Sequence, residues 1–117
     1  MPSLRTKETD ATYAAYLKAE QPFASCPLCD KKSVKEFGFW RIVENSFPYD
    51  KIAERHDLLL SKSHVKEERI EQQAWYEWQN IKKSYVNDHY DWIVEPTHSG
   101  KSIPEHFHLH LLVGKGQ

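Results

Sequence analysis

The sequence predicts an α+β domain, with an antiparallel sheet of about five strands packed by one long helix and a short N-terminal helix. Three observations predict it. Apolar residues recur from Ile70 through Ala74, Trp78 and Ile81 to Tyr85 at steps of four, four, three and four, drawing one stripe down a helix. Segments of strand character lie before and after that stripe instead of alternating with further helices, which favours near-sequential antiparallel pairing. The 117 residues suffice for one core but not for two.

Along the chain, residues 1–9 read as a frayed arm and residues 10–117 as a single domain. Asp10 caps a short helix that runs to about Glu20, with Tyr13, Tyr16 and Leu17 at helical spacing and Pro22 closing it. A Cys-Pro-Leu-Cys knuckle follows at 26–29. Residues 36–44 (EFGFWRIVE) read as one strand with apolar residues on both faces, hence well buried. Residues 45–50 are turn chemistry, and 56–60 form a second, short strand. The long helix spans about 65–86; Glu67 and Glu68 in its first turn and Lys82 and Lys83 in its last complement the helix dipole. Asn87 is positioned to stop it in a left-handed conformation. Residues 90–95 (YDWIVE) alternate as a strand ended by Pro96, residues 97–105 form a polar loop, and 106–113 alternate cleanly as the last strand. Trp40, Trp75 and Trp92 are assigned to the core.

Charge is balanced, with 16 basic against 17 acidic residues, which argues against a broad nucleic-acid surface. No apolar run approaches the ~20 residues of a membrane span, and residues 1–10 lack the apolar stretch of a leader. A reducing, cytoplasmic setting is the expectation, in which Cys26 and Cys29 serve as metal ligands or redox groups more readily than as a structural disulfide.

The chemistry concentrates in the last strand. Side chains two apart share a strand face, so His106, His108 and His110 line one face while Phe107, Leu109, Leu111 and Val113 line the other. A lone histidine is more often a satisfied core or surface group, but three imidazoles in strict alternation within an apolar strand serve packing poorly. Two chemistries fit. The three rings could hold a catalytic metal with one open position, or one ring could be a nucleophile toward phosphorus that its neighbours orient. Cys26 and Cys29 supply only half of a tetrahedral site, so the remaining ligands must be histidine or carboxylate. A disulfide-exchange role for the C-x-x-C is the competing reading, although no βαβ pattern follows it.

His106-Phe107-His108-Leu109-His110-Leu111-Leu112 matches the histidine-triad signature His-φ-His-φ-His-φ-φ at every position. His56-Asp57-Leu58-Leu59-Leu60-Ser61-Lys62-Ser63-His64 resembles that family's second block, an aliphatic strand running into a turn with two histidines eight apart. With the N-terminal C-x-x-C, found in zinc-containing members and in galactose-1-phosphate uridylyltransferase, the resemblance spans about residues 26–113.

That resemblance implies a histidine-triad fold and a hydrolase or transferase acting on nucleotide phosphorus bonds. It implies one structural zinc per chain on Cys26, Cys29, His64 and His106, His108 as the nucleophile that forms a phosphohistidine-linked nucleotide, and His110 as the residue that fixes its tautomer. Ser99, Gly100, Lys101 and Ser102 are the expected phosphate grip, with Lys101 neutralising an oxygen and His98 protonating a leaving group. Relatives often carry Gly-Gln-Ser here with an upstream Asn, whereas this chain reads His98-Ser99-Gly100-Lys101-Ser102 before Ile103-Pro104-Glu105. Asn45 stands where many members have an Asp that bonds a ribose hydroxyl, and His56 is expected to face the nucleoside. The implied ligand is a small nucleotide, and a homodimer through a helix and a sheet edge is expected, with Trp75 or Tyr76 as contact rings. The competing functions are a zinc metallohydrolase using the three histidines as ligands, and a nucleotide-binding module that has lost catalysis.

Overall fold

The computed structural model describes residues 3–19, 26–101 and 103–116. One five-stranded sheet, antiparallel throughout, organises the chain in the order β1-β2-β3-β5-β4. Its strands are β1 (Lys35–Glu36), β2 (Trp40–Glu44), β3 (Ala53–Ser61), β4 (Trp92–Val94) and β5 (His108–Gly114). Helix α1 spans Lys7–Ala19 and α2 spans Gln72–Ile81. A π-helical turn over Lys82–Val86 and a last turn, α3 (Asn87–His89), continue α2. No helix among the described residues is long and apolar enough to cross a membrane.

The sheet has a packed layer on each face. On one side Trp40, Ile42, Leu59, Leu109 and Leu111 meet Ala74, Trp78 and Ile81 of α2 and Val86. Trp40 is fully buried, and its indole N–H donates to the Ala74 carbonyl at 2.8 Å, so the largest core ring also satisfies its polar atom. On the opposite side Leu28, Val43, Leu58 and Leu60 form a smaller cluster, and the β5 histidines lie on this face. The expected helical stripe therefore packs on the sheet as its periodicity requires, with one adjustment. The π turn inserts extra backbone between Ile81 and Val86, so Val86 is buried at the end of the stripe and Tyr85 is only partly buried.

Several boundaries differ from the sequence reading. The strand expected over 36–44 is a hairpin, because Phe37-Gly38-Phe39 turn back and the Phe37 amide bonds the Trp40 carbonyl at 2.8 Å. Glu77 on α2 fixes that turn by accepting from the amides of Gly38 (2.9 Å) and Phe39 (2.7 Å); a Cβ at Gly38 would lie 2.6 Å from its carboxylate. The long helix begins at Gln72, not Val65, since Glu67–Arg69 form a separate 3-10 turn. Asn87 does not stop it: its backbone is right-handed helical, and the chain leaves the helix at Tyr90, which is extended. Trp92 is 49% exposed on the edge strand β4, not in the core; Trp40 is buried and Trp75 partly so. The first helix starts at Lys7, ahead of Asp10, and its expected end at Glu20 and Pro22 lies outside the described residues. Thr6 replaces Asp10 as the local cap, its hydroxyl accepting from the Thr9 amide at 3.3 Å.

Candidate functional site

Cys26, Cys29, His64 and His106 meet at one point, with all four ligand atoms within 4.8 Å of one another. The knuckle is a tight turn in which the Cys29 amide bonds the Cys26 carbonyl at 3.2 Å. Arg41 on β2 laces it to the sheet by donating to the carbonyls of Leu28 (2.8 Å), Cys29 (3.2 Å) and Lys31 (2.5 Å). The Sγ-to-Nδ1 separations are 3.6 Å for Cys26–His106, 3.4 Å for Cys29–His106 and 3.3 Å for Cys29–His64. Two ligands in a tetrahedral zinc site, one sulfur and one nitrogen, stand about 3.6 Å apart for ordinary bond lengths. The donor set therefore fits a metal ion. His106 supplies the outer support such sites use: its Nε2–H donates to the Ser61 carbonyl at 2.7 Å, leaving the Nδ1 lone pair facing the two sulfurs.

His108 and His110 stand outside that group and have their own partners. His108 Nδ1 lies 2.9 Å from the His106 carbonyl, which can only accept, so Nδ1 carries the proton and the neutral ring keeps its lone pair on Nε2. The tautomer expected to be set by His110 is thus set by the backbone of the preceding triad member. His110 is tied elsewhere. The Tyr49 amide donates to His56 Nδ1 at 2.9 Å, so His56 carries its proton on Nε2 and donates to His110 Nδ1 at 2.8 Å. His110 consequently presents an Nε2–H, which faces the Tyr49 hydroxyl at 3.5 Å.

These rings are held neutral. Burial pushes His56 down to about 3, with the Arg5 and His108 charges adding to it. Burial likewise pushes His110 to about 2, with His56, His108 and Arg5 contributing. His108 is lowered too, by burial first and by Lys101, against the opposing pull of the His106 carbonyl and Glu95. A lowered value means an unprotonated imidazole at neutral pH, which is the state a nucleophile needs.

Two cavities meet at His108. The larger, about 770 Å³, is walled by Tyr13, Tyr16 and Leu17 of α1, by Phe47 and by Leu28, Leu58 and Ile103, with His108 and His110 in its lining. Its size is ordinary for a small-molecule site. The smaller, about 180 Å³, is lined by Lys66, Glu67, His98 and Lys101 among others, and shares His108, Ile103 and Glu105 with the first.

Of the expected substrate contacts, Lys101 and His98 line the small cavity, and Lys101 is already paired with Glu95 (2.8 Å) and Glu67 (3.8 Å). Ser99 and Gly100 line neither cavity, and Ser102 lies outside the described residues. Asn45 lines the large cavity, but its side-chain oxygen accepts the Phe47 amide at 2.8 Å and its Nδ2 lies 3.2 Å from the His56 ring. His56 lines neither cavity; it sits behind His110 and orients it. Sequence reasoning missed Arg5, Tyr13, Tyr16, Phe47 and Tyr49 as site residues. Their partners lie far along the chain, Phe47 against Arg5, Tyr13 and Tyr16, and Tyr49 against Arg5 and His110, so no local pattern marks them.

No protein-family model matches this chain, and no curated protein matches it either.

Proposed function

We propose that this chain is a histidine-triad protein of the zinc-containing branch, a nucleotide hydrolase or nucleotidyl transferase that attacks an α-phosphate through His108. The observation that carries the reading is the state of His108: a neutral ring with Nδ1 committed to a carbonyl, at the junction of a large and a small cavity. A nucleotide straddling that junction keeps its nucleoside in the larger space and its leaving group in the smaller. The Nε2 lone pair forms a P–N bond as the bond to the leaving group breaks, and the leaving group departs with the electron pair and takes up a proton. Water then adds at phosphorus and gives up a proton to solvent, matching the one the leaving group took, while the P–N bond breaks and the lone pair returns to Nε2. The His110 Nε2–H, kept in that tautomer by His56, is available to a phosphate oxygen as charge shifts. Nucleoside phosphoramidates, dinucleoside polyphosphates and nucleotidyl esters are the candidate substrates.

Zinc is the metal this reading assigns to Cys26, Cys29, His64 and His106. Four protein ligands close the coordination sphere, so its contribution is to staple the knuckle, the turn after β3 and the start of β5. The reading extends to a two-fold dimer, for which exposed Tyr76 on α2 and Trp92 and Ile93 on the edge strand are the apolar contacts.

The test incubates the protein with a panel of nucleoside phosphoramidates and dinucleoside polyphosphates, follows hydrolysis, and searches intact mass for a nucleotidyl adduct. The adduct is expected on wild type and absent from His108→Ala, which retains its fold and its metal. Turnover in His108→Ala refutes the assignment. Binding of AMP with neither adduct nor turnover replaces it with a nucleotide-binding module.

A further inference from the structure

Arg5 belongs to the segment that sequence reasoning leaves as a frayed arm, yet it lines the large cavity. The arm is fastened to the 45–51 loop. The Thr6 amide donates to Asp50 at 2.8 Å, the Lys51 amide donates to the Leu4 carbonyl at 3.0 Å, and the Thr9 hydroxyl bonds Asp50. Ser3 adds a local tie, accepting from the Arg5 amide at 3.1 Å and donating to Asp10 at 2.9 Å. The guanidinium is held at three points. Its Nε–H donates to the Phe47 carbonyl at 2.8 Å, and its carbon lies 4.4 Å from the centre of the Tyr13 ring and 5.0 Å from that of Tyr49.

What it lacks is an anion. Among the described residues no carboxylate pairs with Arg5, whereas Lys101, the cation of the small cavity, has two. Its Nη groups make no hydrogen bond to a described residue, and no buried side-chain nitrogen is left unsatisfied, so these donors face accessible space. A guanidinium held by rings and by Nε, with its Nη edge open, is arranged for bidentate contact with phosphate.

Its place in the site follows from the stacking. The Tyr49 ring contacts both the guanidinium and His110, stacked on the latter at 4.9 Å and 21°, and the His110 ring is 5.3 Å from that of His108. The Arg5 charge acts on His56 and His110, and the Lys101 charge on His108. Arg5 lines the large cavity and Lys101 the small one, so the two cations serve different cavities that share His108.

We propose that Arg5 is a specificity residue that binds a second phosphate, carried on the ribose of the nucleotide and separate from the phosphate facing His108. This inference rests on the nucleotide reading above. A ribose phosphate fits better than a leaving-group phosphate because the leaving group is assigned to the small cavity, where Lys101 is already neutralised.

Calorimetry on the zinc-loaded full chain tests it with four ligands: AMP, adenosine 2′,5′-bisphosphate, adenosine 3′,5′-bisphosphate and α,β-methylene-ADP. Wild type should bind one of the two bisphosphates about tenfold or more tighter than AMP, as a charge-assisted bidentate contact gives. The ratio should fall to about one in Arg5→Gln and keep an intermediate value in Arg5→Lys, which retains charge without the fork. A wild type that binds AMP but shows no preference overturns the Arg5 assignment and leaves the nucleotide reading standing, as does a preference undiminished in Arg5→Gln. A preference for α,β-methylene-ADP that disappears in Arg5→Gln moves the anion to the leaving group and also overturns it. A wild type that binds none of the four refutes the nucleotide reading and this inference with it.

Discussion

Acid should unfold this protein through two rings that never touch the proposed metal. In the unfolded chain His56 and His110 titrate near 6.5, whereas in the folded protein burial holds them at about 3 and about 2. Their folded values are depressed, so the unfolded state binds more protons throughout that interval and stability falls as pH falls. The contribution is fully present above 6.5 and is lost as pH drops, down to about 3 for His56 and about 2 for His110. Each ring approaches a slope of ~1.4 kcal/mol per pH unit. Between pH 7 and pH 5 the pair removes about 4 kcal/mol in total, a large share of the roughly 5–15 kcal/mol that holds a typical domain. Urea unfolding followed by tryptophan fluorescence at half-unit pH steps measures the slope. Ring-proton NMR separates these histidines from the metal ligands, which also protonate in acid. His56 and His110 should remain neutral to below pH 5. Titration of either near 6.5 in the folded protein, or a stability flat from pH 7 to 5, would refute the burial that holds the two rings neutral.

Metal analysis should give one zinc per chain, retained in the double variant His108→Ala/His110→Ala and lost in Cys26→Ser/Cys29→Ser. Loss of metal in the histidine double variant would support a catalytic three-histidine site instead. Removing the metal with a chelator should lower the thermal midpoint sharply, since structural zinc sites contribute on the order of 10 kcal/mol in small domains; an unchanged midpoint counts against a structural role. Trp40→Ala should cost about 3–5 kcal/mol in urea unfolding, because it empties a fully buried ring site and leaves a core of three further aromatic rings unsupported. A cost below about 1 kcal/mol would mean that the core collapses around the gap.

The parts of this structure legible in the sequence are those written in local periodicity. The stripe from Ala74 to Ile81 and the alternation after His106 each specify an element and its buried face, and together they specify the α+β sheet. The metal cluster was legible in a different way. Half a tetrahedral site at Cys26 and Cys29 demands two more ligands, and the resemblance supplied His64 and His106, the two that the fold brings within reach. What stayed hidden depends on partners far along the chain. The hairpin at Gly38 is set by Glu77, and the arm at Arg5 and Thr6 by Phe47 and Asp50, roughly forty residues away in each case. Composition assigns Trp92 inward, but β4 is a three-residue edge strand on which Trp92 and Ile93 are exposed. Tautomers were out of reach altogether, because they follow from which carbonyl or amide a ring meets.

Those tautomers connect the two halves of the site. His106 faces the two sulfurs through Nδ1 and is fastened through Nε2–H to Ser61, so neither ring nitrogen is free to rotate away once a metal is held. Its backbone carbonyl is the acceptor that fixes Nδ1 of His108. Anything that loosens His106 therefore acts on His108 across a single residue, by releasing the carbonyl that keeps the lone pair on Nε2. The proposed zinc then has a second consequence beside stability. A chain stripped of metal but still folded, as in cold, osmolyte-supported buffer, should form the nucleotidyl adduct more slowly than the metal-bound form, with His108 in a mixture of tautomers by nitrogen-15 NMR. Equal rates, with a single Nδ1–H tautomer in both forms, would mean that the sheet alone holds the His106 carbonyl in place and that the metal and the nucleophile are neighbours without coupling.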